Sequence, residues 1–409
     1  MSTISIDPRL AERVLESIHA EELVDLARQL IQIPTVNPPG DVTDAAFLCT
    51  RYLAEAGFTV ELDAGEETKP NVIARYGTRP GPTLLWNSHL DVVPIGEESA
   101  WSVPPFAGTV QDGRIYGRGA CDVKGGVAAQ LVAAAALVRS GIPLHGSLIV
   151  TEVADEEVGG RLGAARIAAR EDLRPDAVMV AEPTQNRVCV GERGGVGIRV
   201  TVFGRTAHGA LPWEGVNAIE GMARVITALQ HDLWPRLAER RHPYFAPASA
   251  TISLIEGGVK TNVVPDRCSI YIDRRLIPGE EPEMAVEEVR EIAERAVAAT
   301  PGLRVIVEAA PEWPGRRAIV QPEDSPLVRT MVAVNRYLGL DTTLTGFSMG
   351  TDGRFFATRG YPTIIYGPGD PRVAHQPDEW VAIDDLVQCA RAYALAGLAI
   401  LGPQSSLTA

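Results

Sequence analysis

The sequence predicts an α/β fold whose mostly parallel sheet domain is interrupted by a smaller α+β domain. Between about residues 70 and 190, short apolar runs alternate with helical stretches, which is typical of a parallel sheet covered by helices on both faces. This rhythm changes near residue 192 and returns after about residue 311. We therefore expect one domain in two parts, residues 1–191 and 311–409, with residues 192–310 inserted between them.

Each element of the sheet domain has its own signal in the sequence. The runs NVIARYG, PTLLWNSH, SLIVTEV and AVMV have the length and composition of buried strands. The Ala-rich stretch GGVAAQLVAAAALVRSG predicts a helix between the second and third of them. After residue 311, SPLVRTMVAVNRYLG and LVQCARAYALAGLAIL predict helices, and PTIIYGPG predicts a strand.

The inserted segment has a different order of elements. The stretches GVGIRVTVFGR, NAIEGMARVITALQ, ATISLIEGG, SIYIDRRLI, AVEEVREIAERAVAA and LRVIVEAA predict strand, helix, strand, strand, helix and strand. Ile219, Met222, Ile226 and Leu229 share one face of the first helix, so that this helix can cover one side of a small sheet. This order is the split βαβ arrangement of a ferredoxin-like domain.

Composition excludes several classes of partner. With 45% hydrophobic and 22% charged residues, the chain has ample material for the cores of two globular domains. A formal net charge of -14 argues against nucleic acid or an anionic membrane as a partner, because both attract basic surfaces. The N-terminal stretch lacks the apolar core of a signal peptide, and the five cysteines are widely spaced, which suits a reducing compartment. We expect a cytoplasmic protein.

Histidines and carboxylates follow the predicted strands of the sheet domain. In an open α/β sheet, ligands bind outside the carboxyl ends of the strands, so residues at these ends converge. The residues concerned are His89 and Asp91 in PTLLWNSHLD, Glu156 and Glu157 in SLIVTEVADEE, Glu182 in AVMVAEPT and His375 in PTIIYGPGDPRVAH, with Asp122 in the Gly-rich loop GRGACDVKGG. One such residue would usually be structural, but mixed imidazole and carboxylate ligands suit Zn²⁺ or a neighbouring first-row ion. The set therefore predicts a metal site, and its carboxylates are able to bridge two ions.

These motifs together carry a family resemblance. HLDVVP, GRGACDVKGG, ADEEVGG, AEPT, GRTAHGALPWEGVNAI, TNVVPD, IDRRLIPGE and GTDGRFF, in this order, resemble the metallopeptidase M20 family, close to its acetylornithine deacetylase and succinyl-diaminopimelate desuccinylase branch. The matching motifs run from about residue 85 to 380. The resemblance implies a zinc-hydrolase catalytic domain with an inserted lid or dimerisation domain, in agreement with the ferredoxin-like insertion inferred from the order of elements.

The resemblance also implies a site for two zinc ions. Asp122 would bridge both ions. His89 and Glu182 would complete one coordination sphere, whereas Glu157 and His375 would complete the other. Co²⁺ and Mn²⁺ tolerate the same ligands, so the site suits either of these ions as well as zinc.

Three acidic residues near these ligands have implied roles. Asp91 would orient His89 by accepting its second N–H group. Glu156 would be the general base and acid, because a carboxylate that binds no metal must take a proton from water and return it to the leaving amine. Asp155 is expected to make local hydrogen bonds at the turn.

The inserted domain and a late loop supply the remaining candidates. His208 in RTAHGA would stabilise the oxyanion, reaching across from the lid domain of the other subunit, with Asn262 as a helper. Arg275 in DRRLIPGE would bind the free carboxylate of the substrate in bidentate fashion; Arg274 lies beside it, so the choice between them rests on strand alternation and the motif. Gly350, in the GTDGRFF loop, would line the same pocket.

The sequence as a whole predicts a dimeric, metal-dependent amidohydrolase that cleaves the amide of an N-acyl amino acid. The nearest alternative is a dipeptidase or aminopeptidase with the same metal site, which would require a free α-amino group on its substrate. From another class, a catalytically silent metal-binding scaffold protein would be expected to have lost at least one of the ligands or Glu156. None of these positions departs from the family pattern.

Overall fold

The computed structural model describes residues 5–77, 80–403 and 407–408. The chain divides into two compact units. The first unit comprises the chain up to Gly191, Gln321–Phe347 and the chain from Thr351 onward, and the second unit comprises Glu192–Val320 and Ser348–Gly350. Each is described separately.

The helices and strands are numbered in chain order. The helices are α1 (Pro8–Leu15), α2 (Ala20–Ile31), α3 (Thr43–Glu55), α4 (Gly125–Arg139), α5 (Ala164–Ala168), α6 (Ala218–Asp232), α7 (Trp234–Glu239), α8 (Pro282–Ala298), α9 (Pro326–Leu338), α10 (Gly353–Ala357) and α11 (Ile383–Leu401). The strands are β1 (Ser5–Ile6), β2 (Thr59–Ala64), β3 (Pro70–Gly77), β4 (Thr83–His89), β5 (Thr109–Gln111), β6 (Arg114–Tyr116), β7 (Ser147–Val153), β8 (Ala177–Val180), β9 (Cys189–Glu192), β10 (Gly194–Phe203), β11 (Ala207–His208), β12 (Ser249–Gly257), β13 (Val263–Val264), β14 (Arg267–Leu276), β15 (Arg304–Ala309), β16 (Ile319–Val320), β17 (Thr345–Phe347), β18 (Thr363–Ile365), β19 (Trp380–Ala382) and β20 (Leu407–Thr408).

The first unit is built on a mixed sheet with a parallel centre. Its strands lie in the order β2-β3-β7-β4-β8-β18-β9. The four central strands, β7, β4, β8 and β18, are parallel, whereas β2 and β3 pair antiparallel at one edge. This arrangement confirms the predicted α/β fold with a mostly parallel sheet.

Helices cover both faces of this sheet. Side chains alternate between the faces along a strand, and Trp86 packs its ring edge-on against Tyr393 of α11. The preceding residue, Leu85, packs on the other face with Ile167 of α5 and Phe356 of α10. Because both faces are covered, β4 is buried along its whole length, which explains its continuous apolar run.

Helix α4 lies in the interior of the first unit. Among the described residues, the segment 120–139 is the one helix long and apolar enough to cross a membrane, but 89% of its apolar window is buried inside the structure. Core helices of globular proteins have the same properties, so this helix is weak evidence for a membrane span.

The second unit has the predicted ferredoxin-like arrangement. Its antiparallel sheet has the strand order β12-β14-β10-β15. Met222 of α6 and Val289 of α8 share a core cluster with Val200 of β10 and Ile272 of β14. The two helices therefore cover the sheet through the apolar stripes that the sequence presents.

The second unit extends beyond the predicted boundary at residue 310. The chain after β15 keeps hydrogen bonding to β10, because the N–H of Gly197 donates to the carbonyl of Trp313 at 3.1 Å and the N–H of Gly195 donates to that of Arg316 at 3.0 Å. This pairing holds the segment up to Val320 in the second unit. Apart from the two-residue strand β16, it consists of loop and turn residues that carry no periodic signal in the sequence.

Candidate metal centre

The five predicted metal ligands lie together in the first unit. His89 ends β4, Glu157 lies on the turn after β7, Glu182 follows β8 and His375 follows β18. These strands are parallel neighbours, so their carboxyl ends share one edge of the sheet. Asp122 lies between Gly119 and α4, in the Gly-rich loop.

Asp122 lies between the two histidines. Its Oδ1 is 3.2 Å from Nε2 of His89, and its Oδ2 is 3.3 Å from Nε2 of His375. His89, Asp122 and Glu182 form what we call the inner group, and Asp122, Glu157 and His375 form the outer group. Within each group, one nitrogen or oxygen atom per residue lies within 4.8 Å of the others. Asp122 thus offers one carboxylate oxygen to each group.

The donor atoms and charges of these groups fit two metal ions. Burial raises the pKa of Glu182 well above its ordinary value and that of Glu157 to about 7. Burial also disfavours ionised Asp122, but hydrogen bonds to His375 and His89 outweigh it and hold the pKa of Asp122 below its usual range. Several buried carboxylates ionise together only beside positive charge, which bound cations would supply. One imidazole and two carboxylates per group are ligands that suit zinc and its neighbours.

Asp91 differs from the sequence expectation in the atoms that it uses. Nδ1 of His89 donates to the main-chain carbonyl of Asp91 at 2.9 Å, whereas Oδ1 of Asp91 is 3.7 Å away, too far for a hydrogen bond. The carboxylate instead accepts hydrogen bonds from the N–H groups of Glu156 and Glu157 at 3.1 and 3.2 Å, and from Nδ2 of Asn37 at 2.8 Å. Asp91 therefore orients His89 through its main chain and the Glu156–Glu157 turn through its side chain.

Asp155 anchors the same turn, as the sequence predicts. It has a left-handed backbone conformation, with φ of 77°. Its carboxylate accepts a hydrogen bond from the N–H of Leu162 at 3.1 Å and forms a 3.1 Å ion pair with Nζ of Lys69. Lys69 therefore supplies a positive charge from a distant part of the chain.

Glu156 is half-buried and belongs to neither metal group. Burial raises the pKa of its carboxyl group, and the charges of His89 and Arg354 oppose this rise. Glu156 thus lies beside the two groups but is a ligand in neither of them. This is the placement expected of a proton acceptor.

The sequence reasoning missed the residues that hold Asp122. Oε1 of Glu379 accepts hydrogen bonds from the N–H groups of Cys121 and Asp122, at 2.9 and 3.0 Å. The other oxygen of Glu379 forms a buried ion pair with Arg118. The signal available was Glu379 itself, an acid four positions after His375, but its partners are too distant in sequence to be inferred.

Two of the predicted substrate-site residues are neighbours in the second unit. His208 of β11 pairs with Val263 of β13, and the carbonyl of Asn262 accepts a hydrogen bond from Gly209 at 2.8 Å. Both His208 and Asn262 are exposed. Their proposed contacts with an oxyanion stay a prediction.

Arg275 and Gly350 also lie in the second unit, each with a close neighbour. Arg275 binds the carboxylate of Asp273 through two hydrogen bonds of 2.8 and 2.9 Å, and its guanidinium lies 4.9 Å from the ring centre of Trp313. Arg274 is fully buried, so Arg275 is the more accessible of the pair. At Gly350, a Cβ would lie 1.5 Å from Nη2 of Arg316, so this position admits only glycine without displacing Arg316. Their substrate-binding roles stay predictions.

Comparison with known proteins gives the class to which this fold and site belong. The sequence matches peptidase family M20/M25/M40 over residues 85–398. It is 32% identical to a succinyl-diaminopimelate desuccinylase from Gluconacetobacter diazotrophicus, covering 90% of this chain and 94% of that protein. It is 30% identical to an N-formyl-4-amino-5-aminomethyl-2-methylpyrimidine deformylase from Halalkalibacterium halodurans, covering 90% and 92%.

Solved structures agree with the fold. An aminopeptidase from Bacillus cereus has a TM-score of 0.77 at 22% identity, covering 94% of this chain and 99% of that one. A dinuclear metal binding peptidase from Bacillus subtilis has a TM-score of 0.70 at 19% identity, covering 93% and 98%. The protein is thus a metal-dependent hydrolase that acts on amide bonds. It belongs to peptidase family M20/M25/M40.

Proposed function

We propose that this protein is a zinc-dependent deacylase that hydrolyses the amide bond of an N-acyl amino acid and releases a carboxylate and the free amino acid. The observation that carries the proposal is the position of Asp122, with one oxygen facing His89 and the other facing His375, close to the non-ligand Glu156. The relatives named as a desuccinylase and a deformylase, aligned with 90% of this chain, support an acyl group as the part removed.

The inner and outer groups would each hold one zinc ion, with Asp122 shared between them. A bound ion lowers the pKa of a water molecule towards neutrality and polarises the amide carbonyl. Glu156 takes the proton of the attacking water and returns it to the leaving nitrogen. The carboxylate of Asp91 holds the main-chain N–H groups of Glu156 and Glu157, so that Glu156 keeps its position during both transfers.

Residues of the second unit would recognise the rest of the substrate. His208 from the other subunit of the proposed dimer, helped by Asn262, would donate a hydrogen bond to the oxyanion. Arg275 binds the α-carboxylate with its planar guanidinium, in competition with Asp273, which occupies the same donors in the structure. Gly350 lines the pocket with main-chain atoms.

A homodimer is part of the proposal. Strand β12 is an edge strand of the second unit's sheet, and Leu254 and Ile255 on it are 63% and 60% exposed. An exposed apolar edge strand readily pairs with another chain, and a second copy of this chain is the partner we propose. We also propose a cytoplasmic location, which the five free, buried cysteines support.

The proposed activity is tested by amine release, detected by mass spectrometry, from a panel of N-acetyl, N-succinyl and N-formyl amino acids and unmodified dipeptides. Metal-reconstituted protein is compared with its Glu156→Gln variant, in which the amide cannot act as the base. We expect hydrolysis of acyl amino acids and a fall in kcat of about 10³-fold in the variant, with both metals retained. Cleavage of dipeptides alone would indicate a peptidase. Metal binding without any turnover across the panel would contradict the deacylase proposal and favour a silent scaffold protein.

A further inference from the structure

We propose that Arg354 is a positioning residue that holds the turn carrying Glu156 and Glu157. We call residues 155–160 the catalytic turn. The inference rests on the proposed function, because it assigns the general base to Glu156. Arg354 lies in the GTDGRFF segment. Gly350, at the start of this segment, is predicted to line the substrate pocket, whereas Arg354 would support the catalytic turn.

The end of the catalytic turn has main-chain hydrogen bonds of its own, from the N–H of Gly159 to the carbonyl of Glu156 at 2.9 Å and from the N–H of Gly160 to the carbonyl of Asp155 at 2.6 Å, and it is also supported from another part of the chain. Gly159 and Gly160 both have positive φ angles, of 116° and 67°, and glycine in this region is conformationally permissive. The start of the turn is held by Asp91 and Asp155, but these contacts reach the main chain of residues 156 and 157 and of Leu162. The two glycines lie between these anchored positions.

Arg354 supplies that support through its guanidinium. Nη2 donates to the carbonyl of Gly159 at 3.0 Å, and Nη1 donates to the carbonyl of Thr351 at 2.6 Å. The guanidinium also lies 4.4 Å from the ring centre of Phe355. Arg354 therefore connects the catalytic turn to the segment 351–355, two parts of the chain that are 195 positions apart at the Gly159 contact.

Close packing makes the same connection independently. A Cβ at Gly160 would lie 2.6 Å from Oδ1 of Asp352 and 2.8 Å from Cε2 of Phe355. Asp352 is 1% exposed, and neither of its carboxyl oxygens has a hydrogen-bond partner among the described residues. The segment 351–355 thus touches Gly160 through side chains and Gly159 through Arg354, so a shift of this segment would move the turn.

Arginine suits this role because its planar fork presents several donors in fixed directions. An alanine at this position removes the fork and leaves the Gly159 carbonyl without its donor. A lysine keeps the charge and one donor group but lacks the fork geometry. We therefore expect activity to decrease in the order Arg354, Arg354→Lys, Arg354→Ala.

The test compares steady-state kinetics, metal content and chemical rescue for the full-length, metal-reconstituted variants. We expect Arg354→Ala to lower kcat by about 10- to 100-fold with a KM change below about threefold. Arg354→Lys should recover part of the loss, and guanidinium added at millimolar concentration should raise kcat of Arg354→Ala by about fivefold or more. Metal content should stay at the wild-type value. The control is Arg359→Ala, an exposed arginine just after α10, which should match wild type and not respond to guanidinium.

Three results would overturn the inference. Wild-type kcat in Arg354→Ala would mean that the contact is dispensable. A change confined to KM would assign Arg354 to substrate binding. A loss of activity that neither lysine nor guanidinium restores, in a variant with normal metal content, would indicate a general structural role. Failure of the proposed function is distinguishable from all three, because the wild-type protein itself would then release no amine.

Discussion

The inner and outer metal groups contain the same kinds of ligand in different surroundings. Each has one histidine and two carboxylates and shares Asp122. In the inner group, His89 and Glu182 are 2% and 5% exposed and lie at the ends of buried strands. In the outer group, the side chain of His375 is 49% exposed. The inner group thus has two ligands at the ends of buried strands, whereas the outer group has a half-exposed histidine. We therefore expect a tightly held ion in the inner group and a more exchangeable ion in the outer group.

The largest effect should come from removing the residue that both groups share. Asp122→Ala takes one ligand from each group and the hydrogen-bond partner from both histidines. We expect both ions to be lost and turnover to fall by roughly 10⁴-fold or more, measured by metal analysis and amine release. The control is Asp384→Ala, an exposed acid in the first turn of α11. A variant that keeps one tightly bound ion would show that one group is complete without Asp122.

The difference in burial between the inner and outer groups is tested by removing one histidine at a time. His375→Ala leaves the inner group intact, whereas His89→Ala leaves the outer group intact. Each variant should bind one ion, but the ion in His89→Ala should be removed by a chelator about tenfold faster, because its remaining group includes the half-exposed His375. Equal release rates from the two variants would mean that burial does not distinguish the groups.

A prediction about stability concerns the buried support of the inner group. Glu152 accepts a hydrogen bond from Ser88, the neighbour of His89, and burial raises the pKa of Glu152 from 4.5 to about 8. Between these two pH values the folded protein retains a proton that the unfolded chain has lost, so the free energy of unfolding falls as pH rises, by about 1.4 kcal/mol per pH unit. Below pH 4.5 and above pH 8, Glu152 adds no further change.

Urea unfolding at several pH values between 5 and 8 measures this slope. The Glu152→Gln variant keeps a hydrogen-bond acceptor for Ser88 but does not titrate, so its unfolding free energy should fall less steeply than that of the wild type. Glu55→Gln, on an exposed position of α3, removes the same charge and should leave the wild-type slope unchanged. Identical slopes for wild type and Glu152→Gln would show that Glu152 ionises freely in the folded protein.

The sequence predicted a metal site because its candidate residues follow a rule about sheets, and the family resemblance then separated the ligands from their neighbours. His89, Glu182 and His375 each follow a strand, and parallel strands bring their carboxyl ends to one edge. The alternation of apolar runs and helices was sufficient to predict a mostly parallel sheet, but not the order of its strands. Asp122 follows no strand, since it lies in the Gly-rich loop before α4, and its place in the set depended more on the motif.

The supporting contacts were beyond sequence reasoning because they join distant segments. Glu379 reaches the main chain of Cys121 from 258 positions away, and Lys69 reaches Asp155 from 86 positions away. Neither residue belongs to a periodic pattern or a motif with a known spacing. Asp91 shows a different limit, since its motif indicated contact with His89 but could not indicate whether the main chain or the side chain makes it.

The position of β18 has a consequence for how the protein forms during synthesis. This strand, Thr363–Ile365, lies between β8 and β9 in the sheet, although both neighbours are made long before it. The four sheet strands and both covering helices of the second unit are all made by Ala309. At that point the sheet of the first unit still lacks β18 between β8 and β9. Domains tend to fold as units as they emerge, so the inserted unit should fold first. The outer group is complete only once His375 has been made, near the end of translation.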